Sequence, residues 1–113
     1  MFTPEDVLEA YDKHNRLPLR GRFGAYSRNG HILAELKCCP MTVLCIDEPF
    51  DPEHEWGFGP ADQVCQILEN KYPGFDSVDF MLAFDNASHN PRDNDNASAN
   101  LGRAVYRALK EKL

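Results

Sequence analysis

The sequence predicts a mainly α fold: about five short helices packed in layers in one domain, with a short β-hairpin near residues 22–36. Three observations lead there. Apolar residues recur at three- and four-residue spacing in stretches near both ends and in the middle of the chain. Proline stands at the start of three of those stretches, at Pro4, Pro40 and Pro60, where its missing N–H is one the helix cannot use. Between the first two, Gly21, Gly24 and Gly30 exclude a helix, and Asn29-Gly30 supplies the tight turn of a hairpin. A chain of 113 residues can bury a core without a metal or a disulfide to hold it.

Thr3-Pro4-Glu5-Asp6 is a helix start: the hydroxyl accepts from an unused N–H, and two acids face the positive end. Val7, Leu8 and Tyr11 share a face, and the helix ends near His14-Asn15 because Pro18 disfavours helical geometry at Leu17. Phe23 to Tyr26 and His31 to Leu36 are the expected arms of the hairpin. A lone hairpin is marginal in water, so it must lie on the helical core.

Cys39-Pro40 opens an apolar run to Ile46. Its β-branched residues favour a strand, but Pro40 in a first-turn position favours a short helix, and helix suits the rest of the chain. Residues 47–59 form a loop, with two prolines, two glycines and alternating carboxylates, pinned by Phe50, Trp56 and Phe58. Pro60 starts the next helix, with Ala61, Val64, Cys65, Leu68 and Tyr72 on one face, and Pro73-Gly74 ends it.

Asp76 or Ser77 caps a further segment, Val78 to Phe84. Its core, Phe80-Met81-Leu82-Ala83-Phe84, is apolar on every side, which places it in the middle of the fold. Residues 85–96 are polar, and Asp-Asn-Ala-Ser at 85–88 and again at 95–98 marks helix boundaries. The last helix carries an apolar stripe of Leu101, Ala104, Val105, Ala108 and Leu109 and a basic one of Arg103, Arg107 and Lys110. The expected core is Val7, Leu8, Tyr11, Leu44, Val64, Leu68, Met81, Leu82, Phe84, Leu101, Val105 and Leu109. Alanine at Leu82 or Val105 should cost about 2–4 kcal/mol if each is fully buried.

Composition narrows the function. No stretch approaches a membrane span, and the N-terminus lacks a basic region followed by an apolar run. The expectation is a cytoplasmic protein with its four cysteines reduced and its two glycosylation sequons, Asn86-Ala87-Ser88 and Asn96-Ala97-Ser98, unused. Residues 1–50 carry six basic and seven acidic groups, residues 51–95 two and ten, and residues 96–113 four and one. An acidic middle in a chain of net charge -6 argues against nucleic-acid binding and for another protein as partner. No motif fixes an oligomeric state.

Three of the four cysteines lie in Lys37-Cys38-Cys39-Pro40-Met41-Thr42-Val43-Leu44-Cys45-Ile46. A zinc site needs convergent ligands, usually as two close pairs. Cys38 and Cys39 are adjacent and diverge, Cys65 is remote, and no Cys-x-x-Cys exists, so packing is the favoured role and no metal or cofactor is expected. Cys39 alone supports a chemical hypothesis. At a helix N-terminus its thiolate would be favoured, with His31, His54 or His89 as base.

The other clusters are weaker. Asp47, Glu48, Asp51, Glu53 and Glu55, with His54 among them, are a solvated loop rather than a carboxylate site, since His54-Glu55 lacks the second histidine of a metalloprotease motif. Neither register of residues 85–104 matches a calcium loop. Lys13, Arg16, Arg20, Arg22 and Arg28, interleaved with Phe23 and Tyr26, form a basic stretch with no acid before Ala34. Arg16, Arg20, Arg22, Arg28 and Tyr26 are candidate binding residues by charge and stacking, set against pairing with the chain's own acids. Phosphate-binding, dinucleotide, serine-hydrolase and RNA-recognition signatures are absent. A non-enzymatic protein-binding or regulatory module is therefore the preferred expectation, and a small thiol- or metal-dependent enzyme centred on Cys39 with a histidine partner is the alternative.

Overall fold

The computed structural model describes residues 1–49, 59–86 and 96–113. The expected loop anchors Phe50, Trp56 and Phe58, the carboxylates of 51–55 with His54, and most of the 85–96 loop, including His89, lie outside the described residues. Among the described residues the architecture is mainly α, with five helices and a small hairpin. In chain order the elements are α1 (Pro4–His14), β1 (Leu17–Pro18), β2 (Ala25–Arg28), β3 (His31–Ala34), β4 (Lys37–Cys38), α2 (Pro40–Leu44), α3 (Pro60–Lys71), α4 (Ser77–Asn86) and α5 (Ala97–Leu109). A 3₁₀ turn over Lys110–Lys112 follows α5.

The local signals act as their chemistry requires. Thr3 accepts from the Asp6 N–H at 3.2 Å while the Asp6 carboxylate accepts from the Thr3 N–H at 2.9 Å, a closed capping box. Asn15 ends α1 in the left-handed region, with φ 53°. Asn29 and Gly30 both have positive φ, 53° and 75°, as a two-residue hairpin turn needs. The paired arms run from Ala25↔Ala34 to Arg28↔His31, displaced from the expected start at Phe23. The other edge of β3 pairs with the chain after α2: the Ile32 N–H donates to the Glu48 carbonyl and the Asp47 N–H to the Ile32 carbonyl. This pairing seats the hairpin on the helical body.

Asp76 caps α4, accepting from the Asp79 N–H at 3.0 Å, and Asn96 caps α5, accepting from the Ala99 N–H at 2.9 Å. The Ser98 hydroxyl accepts from the Asp76 N–H and ties the starts of these two helices together. A parallel pair of β1 with β4, Leu17↔Lys37 and Pro18↔Cys38, has no counterpart in the expected elements.

Two expectations about the core need correction. Val78 to Phe84 is not apolar on a buried axis: Phe80 and Phe84 point inward, while Val78 and Leu82 are 54% and 48% exposed. On a helix, residues 80 and 84 lie nearly opposite 78 and 82, and among the described residues the packing partners of α4 lie on the phenylalanine side. On α5 the buried face is Ser98, Ala99, Gly102, Val105 and Leu109, with Ala108 exposed. Gly102 causes that rotation. A Cβ there would collide with the Phe80 carbonyl oxygen and lie 3.1 Å from the Ala83 Cβ, so its absence lets α5 press backbone to backbone on α4.

One part of the interior is an aromatic cluster. Phe2 packs on Tyr72, Phe75 and Phe80 at centroid distances of 5.4, 5.4 and 5.6 Å, and Phe84 joins Phe80 to Tyr106. Among the described residues no helix is long and apolar enough to cross a membrane.

Candidate functional site

Three regions carry the chemistry the sequence offers: the thiols around α2, the arginines after α1, and a cleft where β1 and β4 meet the end of α5.

Cys39 is the N-cap of α2, and Pro40 takes the first helical position. The cap is not made by the sulfur, which lies 3.3 Å from the Thr42 hydroxyl. The side chain is buried, and burial pushes its thiol up to about 11 despite the Thr42 contact, which opposes the shift. A helix of five residues supplies too little dipole to reverse that. Its surroundings are Phe23, Met41, Phe80 and Phe84, with Arg22 and Asp85 as the polar members. Among the described residues no histidine lines this space.

His31 stands exposed at the turn of the hairpin, with its Nδ1 3.0 Å from the Asn29 carbonyl oxygen. The structure therefore does not bring Cys39 and His31 together around a shared cavity. Cys38 is likewise buried, its thiol pushed up to about 12, and its carbonyl accepts from the Tyr11 hydroxyl at 2.7 Å. Burial also raises Cys45 and Cys65, and Cys65 is the partly exposed one. Among the described residues no group of three or more His, Cys, Asp or Glu side chains converges as metal ligands.

The five candidate binding residues separate into two kinds. Arg16 and Arg20 are built into the fold. Arg16 donates to the His14 carbonyl at 2.8 Å, at the end of α1, and to the Ala34 carbonyl of β3 at 3.2 Å. Arg20 donates to the Asp85 carbonyl near the end of α4, the Gly21 N–H donates to the Asp85 carboxylate at 3.1 Å, and the Arg20 guanidinium lies 4.5 Å from the Tyr106 ring centroid. A cation at that helix end meets the negative pole. Arg22, Arg28 and Tyr26 remain exposed. Arg22 makes a loose pair with Glu35 at 3.8 Å, both side chains more than half exposed, which is worth little.

The cleft was not anticipated. β1 contributes Leu17 and Pro18, Leu19 and Arg20 follow, β4 contributes Lys37, and the other wall is Tyr106, Lys110, Lys112 and Leu113. Its volume is about 470 Å³, within the range of clefts that accept ligands. Four of its nine lining residues are cations and none is acidic. Leu17 and Leu113 are 46% and 44% exposed beside them, and Leu36 next to Lys37 is 61% exposed. Lys37, Lys110 and Lys112 have no carboxylate partner among the described residues.

The pairing of β1 with β4 sets Lys37 directly opposite Leu17, and the 3₁₀ turn carries two lysines to the far rim. These side chains come from distant parts of the sequence, so no local motif announces them. The signal that was legible is the excess of basic residues after position 96. Comparison of the chain with models of known families, with curated proteins and with solved structures finds no match to any of them.

Proposed function

We propose that this chain is a non-enzymatic protein-binding or regulatory module of the cytoplasm that engages its partner through its basic surface. The observation that carries this reading is the cleft between β1, β4 and the end of α5, which joins exposed leucines to lysines that have no carboxylate partner among the described residues. The lysines cost little to leave in water and gain when an acidic surface approaches them, while covering the exposed leucines supplies most of the affinity. The exposed Arg22, Arg28 and Tyr26 of the hairpin region offer further basic and aromatic groups.

The thiol-enzyme reading draws less support. A nucleophilic cysteine needs a lowered pKa and a base within reach, and Cys39 has a raised pKa, mostly apolar neighbours and no histidine beside it among the described residues. The sharpest test is a pull-down from lysate of the cells that make the protein, with wild type beside two variants. Lys37→Glu with Lys110→Glu removes the cleft charge, and Arg22→Glu with Arg28→Glu removes that of the hairpin. Loss of captured protein in at least one variant, with an unchanged thermal midpoint, is expected. Equal capture by all three contradicts the reading.

A further inference from the structure

We infer that the cleft formed by β1, β4 and the 3₁₀ turn takes an acidic peptide segment that carries bulky apolar side chains. The inference rests on the protein-binding reading and assigns it a place and a chemistry.

Charge complementarity selects the occupant. Arg20, Lys37, Lys110 and Lys112 converge on one concave surface without an acid among its lining residues, in a molecule whose net charge is -6. Glu111 sits on the same turn but does not line the cleft. A local positive field inside low-dielectric walls attracts a short anionic segment over distances near the Debye length of about 8 Å. Arg20 is held rigid by the Asp85 carbonyl and the Tyr106 ring, so it offers a fixed charge. Its Nε is buried with no acceptor among the described residues. The lysines provide mobile ammonium groups that adapt to carboxylate spacing.

The apolar half excludes the other anionic partners. Leu17, Leu19 and Leu113 line the same cleft, and a nucleic-acid backbone has nothing to bury against them. The aromatic ring available for stacking, Tyr106, already has Arg20 over it. A long polyanion also meets the repulsion of the whole acidic molecule, whereas a peptide short enough to stay within the cleft does not. A flat anionic bilayer suffers the same repulsion and cannot enter a concave site.

The test uses the whole folded chain, labelled with ¹⁵N, and a short blocked peptide of glutamates interrupted by two leucines. Amide shifts should move together at Leu17, Lys37, Lys110 and Lys112. Replacing the peptide leucines by serine, or its glutamates by lysine, should weaken binding about tenfold or more. Lys37→Glu with Lys110→Glu should do the same while leaving the remaining amide spectrum in place. No saturable shift at millimolar peptide overturns the inference, as do shifts confined to other elements.

Equal or tighter binding of a short oligouridylate, or of phosphatidylserine vesicles, overturns the peptide assignment. A sedimentation coefficient that rises with concentration and falls in the double variant gives the cleft to a second copy of the chain instead. If the peptide fails while the pull-down stays sensitive to Lys37 and Lys110, the occupant is wrong and the binding reading stands. If the pull-down is insensitive to every charge reversal, the reading itself fails.

Discussion

Replacement of Gly102 by alanine should destabilise the protein, and the sign of the effect is the informative part. Gly102 lies inside α5, where alanine is favoured over glycine by about 1 kcal/mol from helix propensity alone. Against this stands the approach of α4. The added Cβ would collide with the Phe80 carbonyl oxygen and sit 3.1 Å from the Ala83 Cβ. The obstacle is backbone, so no side chain can turn away from it. Overpacking of this kind costs about 1–3 kcal/mol, and the upper half of that range applies here. A net loss of about 1–2 kcal/mol remains, equivalent to a fall in the urea midpoint of about 0.5–1 M.

Urea unfolding followed by far-ultraviolet circular dichroism measures it. Ala108→Gly serves as the companion, because Ala108 is exposed on the same helix and should show propensity alone, a loss of about 1 kcal/mol. If Gly102→Ala raises the midpoint, α5 does not press on α4 as described, and the wall that carries Tyr106 and the C-terminal lysines is misplaced.

Three further outcomes are expected. Leu82→Ala should cost less than about 1 kcal/mol, because Leu82 is 48% exposed, whereas Phe84→Ala on the opposite face should cost about 3–5 kcal/mol; equal losses would contradict the orientation of α4. Thr3→Ala should lose about 0.5–2 kcal/mol by opening the capping box, measured by the same unfolding curve, and no loss would mean that the box does not form in solution. Stability should decline as pH rises above about 9. Burial raises Cys39 to about 11 and Cys38 to about 12 from an ordinary 9.0, so the unfolded chain releases protons that the native chain keeps. A urea midpoint unchanged from pH 8 to 10.5 would refute this, and Cys39→Ala should flatten part of the slope.

Much of the fold was legible because its signals are local. Thr3-Pro4 with Asp6, Asn29-Gly30, Pro60 and Pro73-Gly74 each act through the backbone of a few neighbouring residues, and each marks a boundary the structure has. What escaped depends on partners far away in sequence. Phe2 and Phe75 sit outside or between helices, with no periodicity to mark them, yet both are buried in the aromatic core. Ser98 and Gly102 do not look apolar, but small size rather than hydropathy decides a face where two helix backbones meet. The apolar character of Phe80 to Phe84 was legible, but that the side of Val78 and Leu82 faces outward could not be read from it.

The site was legible only in part. The arginines of the first third stand out as a run, but Arg16 and Arg20 are occupied by carbonyls at the ends of α1 and α4. The cleft lysines lie in β4 and after α5, joined only when two residues of β1 pair with two of β4. Pairing over so short a span leaves no pattern in sequence.

The sulfur atoms fill space in the fold, and the surface cations are proposed to carry the function. Intact-mass spectrometry after brief exposure of the folded chain to iodoacetamide tests this division of roles most directly. At most one adduct is expected, at the partly exposed Cys65, with all four thiols labelled only once urea unfolds the chain. Rapid labelling of Cys39 in the folded chain would contradict it.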